Sequence, residues 1–343
     1  MQHPDRTGWF VVAAVGTMLL VPPPRSDAAP IAVGAGQSIQ AAIVAANPGD
    51  VITVAPGTYV EDIDFLGKAV TVVGSGVDTV LQGTGTGSVV TFRSGEGPGS
   101  VLDSMTITGG IADLGGGVHI AQSSPRLLRN VIFRNAARLR GSGIYVTRSS
   151  AEIRNNVVLY NHAAALGDPH SIEVVDAAPV IVNNTIVRGD SNAIILRGNS
   201  PARVTNNVIA ENGSRGRGRG ICDFSAGGGA RITYNLFWRN RVGALLTSGT
   251  DFRRIARAEK LIGAPRLSGN VDGSPELTGR QPVAGGPELD RTPLVELVAD
   301  LVPRADARRR RALDAGDPAP ELADRDGSRN DLGFTGGPLA PLP

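Results

Sequence analysis

The six residues Asn130-Val-Ile-Phe-Arg-Asn135 contain the pattern from which the fold can be predicted. An asparagine is followed by three mostly apolar residues, one variable residue and usually a second asparagine. Later copies are Asn156-Val-Val-Leu-Tyr-Asn161, Asn184-Thr-Ile-Val-Arg-Gly189, Asn207-Val-Ile-Ala-Glu-Asn212 and Asn235-Leu-Phe-Trp-Arg-Asn240. A degenerate earlier copy is Met105-Thr-Ile-Thr-Gly-Gly110, and the six starting positions lie 25, 26, 28, 23 and 28 residues apart. Recurrence at this spacing indicates one structural unit that is stacked repeatedly.

Each repeat contains three short apolar runs, rich in β-branched residues and separated by Gly, Asn, Ser or Asp. One run is Gly143-Ile-Tyr-Val, and another precedes each motif asparagine at positions such as Ile153 and Ile181. A helix does not fit between runs this close together. The strands must therefore turn corners and pair with the same strands of the next repeat, which predicts an all-β fold, a single-stranded parallel β-helix.

The motif asparagines have a structural role in this prediction. Asparagine tolerates the left-handed backbone conformation of a sharp corner. Its amide can also hydrogen-bond the equivalent amide one rung away, at a spacing of about 4.8 Å. We therefore expect corner positions and ladders of stacked amides, with sugar ligation as the alternative role.

The ends of the chain have a different composition. Residues 9–21 form a low-polarity run, and Ser26 and Ala28 supply small residues before a cleavage point. This predicts a signal peptide over residues 1–28 and an exported protein that is secreted, periplasmic or at the cell surface, with no stable membrane span. An uncleaved anchor or a buried strand is the alternative.

The remaining segments divide into two caps and the rungs between them. Residues 29–49 are expected to cap the first rung with a helix over 38–46, and rungs are expected over 50–250. Residues 251–343 are expected to form an irregular C-terminal cap with one helical candidate over 294–302. Capping is needed because open rungs expose unpaired strand edges.

Composition excludes several classes of protein. The 343 residues include 34 basic and 32 acidic side chains, so whole-chain charge favours no particular partner. Gly and Pro are abundant, at 45 and 23 residues, yet a hydrophobic fraction of 41% is enough for a core. Cys222 is the single cysteine, which excludes an intrachain disulfide and a cysteine zinc cage.

Two segments carry a resemblance to known families. The opening stretches Ile39-Gln-Ala-Ala-Ile, Gly49-Asp-Val-Ile-Thr-Val and Pro56-Gly-Thr-Tyr59-Val-Glu61 resemble the first rungs of the pectin-lyase-like superfamily. The tail, with Leu313-Asp-Ala-Gly-Asp-Pro318, resembles the closing segment of secreted bacterial right-handed β-helix repeat proteins. The resemblance implies a right-handed coil and export. It leaves activity open, because the superfamily includes lyases, hydrolases, esterases, epimerases and proteins without a reaction.

The tripeptide Asp168-Pro169-His170 is similar to the core motif of alginate C5-epimerases, which are also right-handed β-helices. The resemblance implies that His170 is the catalytic base and Asp168 its neighbour, with Arg188 or Arg197 neutralising a uronate carboxylate. The flanking residues Ala165-Leu166-Gly167 and Ser171 depart from the family pattern. A simple Asp-Pro turn is the alternative.

Aligning the rungs on the motif asparagine predicts a row of outward side chains. The row contains His119, Tyr145 and Glu173, continued by Ile195, Cys222 and Leu245. Arg197 falls two residues beyond this row. Aromatic faces and charges of this kind suit a carbohydrate groove, and solvated surface charge is the alternative.

A Gly- and Arg-rich loop follows the fourth motif. It carries Arg215, Arg217 and Arg219 between glycines, a pattern suited to an anionic polymer. No aromatic residues interleave, which argues against nucleic acid. In an exported protein, an acidic polysaccharide is the expected partner, and an inert insertion loop is the alternative.

The tail also contains a candidate metal site. Oxygen-bearing residues alternate around a glycine turn, at Asp324, Asp326, Ser328, Asn330 and Asp331. Hard oxygen ligands at this spacing suit a structural Ca²⁺, although the final bidentate glutamate of an EF-hand is absent. An Asx-turn without metal is the alternative.

Two function hypotheses follow from these observations. The first is an exported β-helix that binds an acidic extracellular or cell-wall polysaccharide and processes it as a lyase or C5-epimerase. The second is a non-catalytic surface or structural β-helix that binds glycan or protein partners.

Overall fold

The chain coils through three long sheets, and successive passes add one strand at a time to each sheet. The structure is a computed structural model, and it describes residues 30–164, 169–226, 229–275, 292–302, 312, 314–326 and 328–337. Strands pair in parallel throughout the three sheets except at one end, where the last pair is antiparallel. The predicted right-handed parallel β-helix is confirmed. The predicted signal peptide over 1–28 lies outside the described residues.

The three sheets contain the following strands. Sheet A has ten: Ile31–Val33, Val51–Val54, Thr71–Val73, Val101–Asp103, Arg126–Leu128, Glu152–Arg154, Val180–Val182, Arg203–Thr205, Arg231–Thr233 and Leu267–Ser268. Sheet B has nine: Gly57–Val60, Thr79–Gln82, Thr106–Thr108, Val131–Phe133, Val157–Leu159, Thr185–Val187, Val208–Ala210, Leu236–Trp238 and Val271–Asp272. Sheet C has nine: Ile63–Asp64, Val90–Phe92, Val118–Ala121, Ile144–Thr147, Ile172–Val175, Ile194–Gly198, Arg219–Ser225, Gly243–Thr247 and Thr250–Phe252.

The strand pairing extends beyond the expected limits of 50 and 250. Sheet A begins with Ile31–Val33, which pairs with Val51–Val54. At the other end, Val271–Asp272 still pairs with Leu236–Trp238. The sequence motif ends before the last rung. The terminal strands still pair in parallel register although they lack the motif.

The core is the interior of the coil. Alternate residues of each strand point inward, so Ile132, Val158 and Ile186 of sheet B stack in register and are buried. They belong to one cluster that runs the length of the solenoid and receives side chains from all three sheets. Complete burial of each such side chain contributes about 1.5–3 kcal/mol, and this repeated burial holds the rungs together.

The predicted asparagine ladder is confirmed. The amide of each motif asparagine donates to the amide oxygen of the next, from Asn130 to Asn156 at 3.2 Å and from Asn156 to Asn184 at 3.0 Å. The series continues to Asn207, Asn235 and Asn270 at 3.0, 2.8 and 3.0 Å. Each amide is buried and also donates to a main-chain carbonyl, so the ladder satisfies polar groups that the corner would otherwise orphan.

The assignment of left-handed geometry to the motif asparagines was wrong by one position. The residue before the first asparagine has a positive φ, as in Asn155 at 56° and Asn206 at 59°. The residue before the second asparagine does likewise, as in Arg134 at 53° and Glu211 at 56°. The motif asparagine instead turns its side chain inward, where the ladder forms, and its predecessor makes the corner.

Gly189 interrupts the second amide ladder for a steric reason. Asn135 donates to Asn161 at 3.2 Å, and Asn212 donates to Asn240 at 2.9 Å. Between these pairs, a Cβ on Gly189 would collide with the hydroxyl oxygen of Ser171. The serine thus occupies the space that a ladder asparagine fills in the other rungs.

A helix closes the first rung, as predicted. Helix α1 spans Ile39–Ala45 and begins after Ser38, whose hydroxyl accepts a hydrogen bond from the Ala41 amide at 3.0 Å. Ile39 and Ile43 are buried against the end of the core. The apolar face of α1 therefore covers what would be an open rung.

The opposite end is closed by a helix that the sequence did not predict. Helix α2 spans Ile255–Ile262, and its residues Ile255 and Ala258 enter the central core. The side chain of Asp272 accepts from the Ile255 and Ala256 amides, which caps the start of this helix. The available signal was the helical spacing of Ile255, Ala258 and Ile262.

Among the described residues of the expected C-terminal cap over 251–343, α2 closes the end of the coil. Helix α3, Leu294–Ala299, and a short 3₁₀ turn, Pro320–Leu322, belong instead to a return segment, formed by residues 292–302, 312, 314–326 and 328–337. Its residues Leu297, Leu301, Leu332 and Phe334 pack on the outward side chains of sheet B. Those side chains are apolar, and this explains why the chain returns to cover them: Val131, Val157, Leu159, Val187, Val208, Ala210 and Leu236.

The corner asparagines attach the return segment to the rungs. The Asn155 amide donates to the carbonyls of Phe334 and Gly336 at 2.9 and 2.7 Å. The Asn183 amide donates to the Asn330 side chain at 2.7 Å. Asn206 accepts from the Asp317 amide at 2.8 Å, so three successive rungs each bind the segment.

A short extra sheet lies beside sheet C. Sheet D consists of three parallel strands, Ile111–Leu114, Ala136–Arg140 and His162–Ala163. They lie between the second motif asparagine and the sheet C strand of the same rung, where these rungs carry longer connections. Sheet D thereby forms a raised edge from which side chains can reach over sheet C.

Candidate functional site

The predicted outward row on sheet C is present up to Cys222. His119 pairs with Tyr145, Tyr145 with Glu173, Glu173 with Ile195, and Ile195 with Cys222. The assignment of Leu245 to this row was wrong, because Cys222 pairs with Leu246. Leu245 pairs with Ile221 and is buried in the core. Placing Leu245 in the row requires Gly220 to pair with Gly243. In the structure Gly243 pairs with Arg219, so each residue of this strand pairs one position away from the predicted one.

His119 and Tyr145 form an aromatic pair on this face. Their ring centroids are 5.5 Å apart, and the rings meet edge to face at 65°. Burial, and next the charge of Arg93, lowers the pKa of His119, so its imidazole is neutral at neutral pH. Burial raises the pKa of Tyr145, so its hydroxyl keeps its proton. The pair therefore offers one proton acceptor and one proton donor side by side.

Glu173 links two arginines beside this pair. Its Oε1 accepts from Arg197 Nε at 2.9 Å and from Arg140 Nη1 at 3.2 Å. The glutamate is only 1% exposed, and this burial raises the pKa of its carboxyl although both arginines oppose the effect. Both guanidinium groups remain partly exposed, so each retains N–H donors toward solvent.

Two members of this cluster were missed by the sequence analysis. Arg140 comes from sheet D and reaches over sheet C, so its position depends on a connection that the repeat does not describe. Phe224 pairs with Arg197 in the strand register, and the Arg197 guanidinium lies 5.4 Å from its ring centroid. At 46% exposed, this ring offers an apolar face at the surface. The length of the 136–143 connection was the available signal for Arg140.

Three of the residues assigned by resemblance to an epimerase site have different partners in the structure. His170 is 3% exposed, and its Nδ1 lies 3.1 Å from Ser191 Oγ and 3.3 Å from Asn192 Nδ2. Arg188 pairs with Glu211 on the corner between sheets B and C. Arg197 instead belongs to the Glu173 cluster, and Asp168 lies outside the described residues.

Two arginines of the predicted Gly- and Arg-rich loop are already paired. Arg215 contacts Asp190 at 3.0 Å, and Arg219 forms two contacts with Asp251, one of them at 2.9 Å. Arg217 is exposed. These ion pairs attach the loop to its neighbouring rungs, which leaves less positive charge for a ligand than the sequence suggested.

The predicted calcium ligands use their oxygens within the return segment. Asp326 accepts from the Ser328 amide and hydroxyl at 2.9 and 2.6 Å, which is the geometry of an Asx turn. Asp324 accepts from the Asp331 amide at 3.0 Å, and Asn330 bonds Asn183. Burial, followed by the charges of neighbouring aspartates, raises the pKa of Asp331 to about 7. Calcium binding stays a prediction.

The carboxyl of Asp331 is expected to make the return segment less stable as the pH rises from about 4 to about 7. The folded chain holds this proton up to a pKa of about 7, whereas the unfolded chain releases it near 3.8. The folded state therefore binds more protons in this window, and its stability falls with rising pH by roughly 1–2 kcal/mol after allowance for partial exposure. Thermal unfolding in chelator at both ends of the window measures this loss.

The matched variants are Asp331→Asn, which should remove the pH dependence, and Glu321→Gln, an exposed site on the same segment, which should keep it. Equal pH dependence in both variants would contradict the assignment to Asp331.

If calcium binds, adding Ca²⁺ in place of chelator at the upper pH raises the melting temperature. A melting temperature that does not respond would remove the calcium proposal.

These features define a parallel β-helix with a cluster of aromatic and charged groups on one outward sheet. A family model described as periplasmic copper-binding protein (NosD) matches residues 66–276. The match covers more than half of the chain, and the chain belongs to this family. No curated protein matches it. Within the described residues, no helix has the length and apolar character needed to cross a membrane.

Three solved structures have a similar architecture at low identity. A mannuronic acid specific polysaccharide family 6 lyase from human gut microbiota has a TM-score of 0.43 and 14% identity, covering 71% of this chain. The chain spans 59% of the length of that lyase. Alginate lyase from Paenibacillus sp. str. FPU-7 has a TM-score of 0.40 and 17% identity, over 71% of this chain and 99% of the lyase. Pectate lyase Pel9A has a TM-score of 0.43 and 14% identity, over 89% and 95%.

The donor groups of the described residues do not fit copper. Copper takes imidazole, thiolate and thioether ligands, and the described residues contain three histidines, Cys222 and Met105. Cys222 and Met105 are buried, the first on sheet C and the second at the start of a sheet B strand. Over the described ranges, no three His, Cys, Asp or Glu side chains group so that they could hold a metal ion.

Proposed function

We propose that this protein is exported and that it binds an acidic extracellular or cell-wall polysaccharide across the outward face of sheet C. The observation that carries the proposal is the cluster of Arg140, Glu173 and Arg197 beside the His119–Tyr145 pair. Guanidinium groups bind carboxylates through paired hydrogen bonds, and the exposed Phe224 ring beside Arg197 can pack against the apolar face of a sugar, whereas Tyr145 is 7% exposed. The family's periplasmic description and the sequence of residues 1–28 support export.

The cluster also supports chemistry on a bound uronate. Arg197 and Arg140 would neutralise the uronate carboxylate, which acidifies the proton on C5. Neutral His119 would accept that proton, and the Tyr145 hydroxyl would supply one. If the proton from Tyr145 goes to the leaving O4 as the C4–O4 bond breaks, a C4–C5 double bond remains and the reaction is a lyase step. If that proton is instead added to C5 on the face opposite the one that lost its proton, the reaction is an epimerisation.

This proposal replaces His170 by His119 as the candidate base. The His170 ring is buried and bonded to two neighbouring side chains, whereas His119 is half-buried on the outward face of sheet C, with Tyr145 between it and Glu173. An acceptor must approach the proton that it removes. The proposal therefore assigns the proton transfer to sheet C and a structural role to His170.

His119→Ala is expected to lower the rate of product formation from polyuronates at least 100-fold, because general bases contribute about 10²–10⁴-fold. The assay follows ultraviolet absorbance of the unsaturated product and, for epimerisation, the ratio of uronate epimers by NMR. Arg231→Gln on sheet A is the matched control and should leave the rate unchanged. Full activity in the His119 variant would exclude the assigned base.

One observation favours the second hypothesis, a non-catalytic β-helix. Glu173 already occupies part of each guanidinium fork, so the two arginines are partly neutralised before any ligand arrives. A polyuronate panel that yields neither absorbance nor epimer change, together with retention of the polymers in affinity electrophoresis, would establish this hypothesis. Loss of that retention in Arg197→Gln, with retention in Arg231→Gln, would still assign the binding to sheet C.

A further inference from the structure

A second candidate site lies near the end of the solenoid, away from the His119–Tyr145 pair. A pocket of about 440 Å³ opens between the sheet B strand Leu236–Trp238, the next sheet C strand and the start of α2. The aromatic and charged side chains that line it are Trp238, Arg239, Arg241, Arg253, Arg254 and Asp272. The repeat pattern does not predict this convergence, because it arises only when α2 packs against the last rungs.

The pocket is strongly basic. Four arginines and one aspartate line it, so the lining carries a net charge of +3. The carboxylate of Asp272 accepts from two amides at the start of α2. All four arginines are exposed. A concentration of guanidinium groups of this kind favours a ligand with several negative charges.

An aromatic ring forms one wall of the pocket. The Trp238 ring is partly exposed, although it packs against the apolar cluster of sheet B and the Arg239 guanidinium lies over it, 5.0 Å from its centroid. An indole beside several guanidinium groups can hold a ring-shaped ligand by its face while the charges bind its substituents. A simple inorganic anion would contact the guanidinium groups but would not use the aromatic face.

A second hollow lies beside the pocket, along the corner between sheets B and C. This hollow, of about 360 Å³, shares Arg239 and Arg241 with the first and extends past Ser214 to Arg188 and Glu211. Arg188, Glu211 and Arg239 occupy equivalent corner positions on successive rungs, which are about 4.8 Å apart. Together the two hollows form a corner groove whose length suits a linear chain rather than a single compact group.

We propose that the corner groove binds a short segment of a carboxylate-bearing oligosaccharide. One sugar ring packs on Trp238, and carboxylates of the oligosaccharide bind Arg253 and Arg254. This inference rests on the proposed function for the class of ligand and adds a binding site separate from sheet C. A second site on the same molecule would hold a long polymer at two points, which strengthens its retention without a new contact on sheet C.

Tryptophan fluorescence tests this proposal directly, with tetragalacturonate as the probe and the full chain as the protein. We expect a saturable change in emission from a Trp9→Phe chain, in which the remaining tryptophan is Trp238 of the groove lining. Arg253→Gln combined with Arg254→Gln should raise the dissociation constant at least tenfold. Arg231→Gln combined with Lys260→Gln changes the same number of charges outside the groove and should leave it unchanged.

The control ligands separate the possible failures. Maltotetraose is a neutral chain of the same number of sugar rings and should produce little change, and inorganic phosphate tests for a simple anion site. An equal response to phosphate, or tight tetragalacturonate binding in the Arg253 and Arg254 variant, would overturn the proposal. If polymer binding depends on Arg197 while Trp238 emission never changes, the corner groove is excluded and the proposed function stands. If Trp238 responds saturably to tetragalacturonate while polymer retention is unchanged in Arg197→Gln, the proposed binding across sheet C is excluded and the corner groove stands.

Discussion

Replacing Asn184 by alanine is expected to lower the free energy of unfolding by about 5 kcal/mol, enough to prevent stable folding in a typical domain. The Asn184 amide donates to the carbonyls of Ile153 and Val182 at 2.8 and 3.1 Å and to Asn207 at 3.0 Å. Its oxygen accepts from the amide and side chain of Asn156 at 2.9 and 3.0 Å. Alanine leaves these buried partners without hydrogen bonds in the middle of the ladder. Chemical denaturation followed by circular dichroism measures the loss.

The matched control is Asn199→Ala, since Asn199 is exposed on a turn after sheet C. It should change the free energy of unfolding by less than about 0.5 kcal/mol. Asn184→Asp is a second test, because it keeps the shape and the acceptor and removes the donors, and it should also be strongly destabilising. Either variant of Asn184 unfolding at the same denaturant concentration as the wild-type chain would show that the ladder does not stabilise the coil.

Phe334→Ala is expected to lower the free energy of unfolding by about 3–5 kcal/mol and to expose the outward face of sheet B. Phe334 is 7% exposed, and it packs in the apolar cluster between the return segment and that sheet. Its main chain is attached at two points, with the carbonyl accepting from Asn155 and the amide donating to Thr185 at 3.2 Å. Loss of the ring should loosen the segment while the rungs remain, so binding of a hydrophobic dye should increase.

Phe224→Ala provides the comparison at the same residue type. The Phe224 ring is on the surface of sheet C, so its removal should change stability by less than about 0.5 kcal/mol and dye binding not at all. Equal stability in the two variants would contradict the account of the return segment as the cover of sheet B. Dye binding that rises in neither variant would contradict it as well.

The rungs could be predicted from the sequence because their determinants are local and periodic. One circuit of the coil is one repeat, so aligning Asn130 with Asn156 also aligns the strands that lie between successive motifs. That alignment is enough to place His119, Tyr145 and Glu173 in one row, and the strand register confirms the row. The alignment failed at Leu245, because Gly220 and Gly243 do not pair. A shift of one residue in the register moves a side chain from the outward face to the core.

The elements that depend on tertiary contacts could not be predicted in the same way. The apolar outward positions Val157, Leu159 and Val187 did signal that something covers sheet B, but not which segment does so. Arg140 reaches Glu173 only because sheet D rises beside sheet C. His170 shows a different limit: a short motif resembles a catalytic pattern, and the sequence alone does not show that the ring lies among buried polar side chains.

The attachment of the return segment to Asn155, Asn183 and Asn206 constrains how this molecule can change in length. Each anchor belongs to a different rung, and the anchors fit one spacing of the return segment. Duplicating or deleting a rung between residues 155 and 206 would shift the anchors on one side of the change by about 4.8 Å relative to those on the other, so the docked chain could not face all three asparagines. Rungs added before residue 155 meet no such obstacle, and insertions there should be the tolerated ones among related chains of different size.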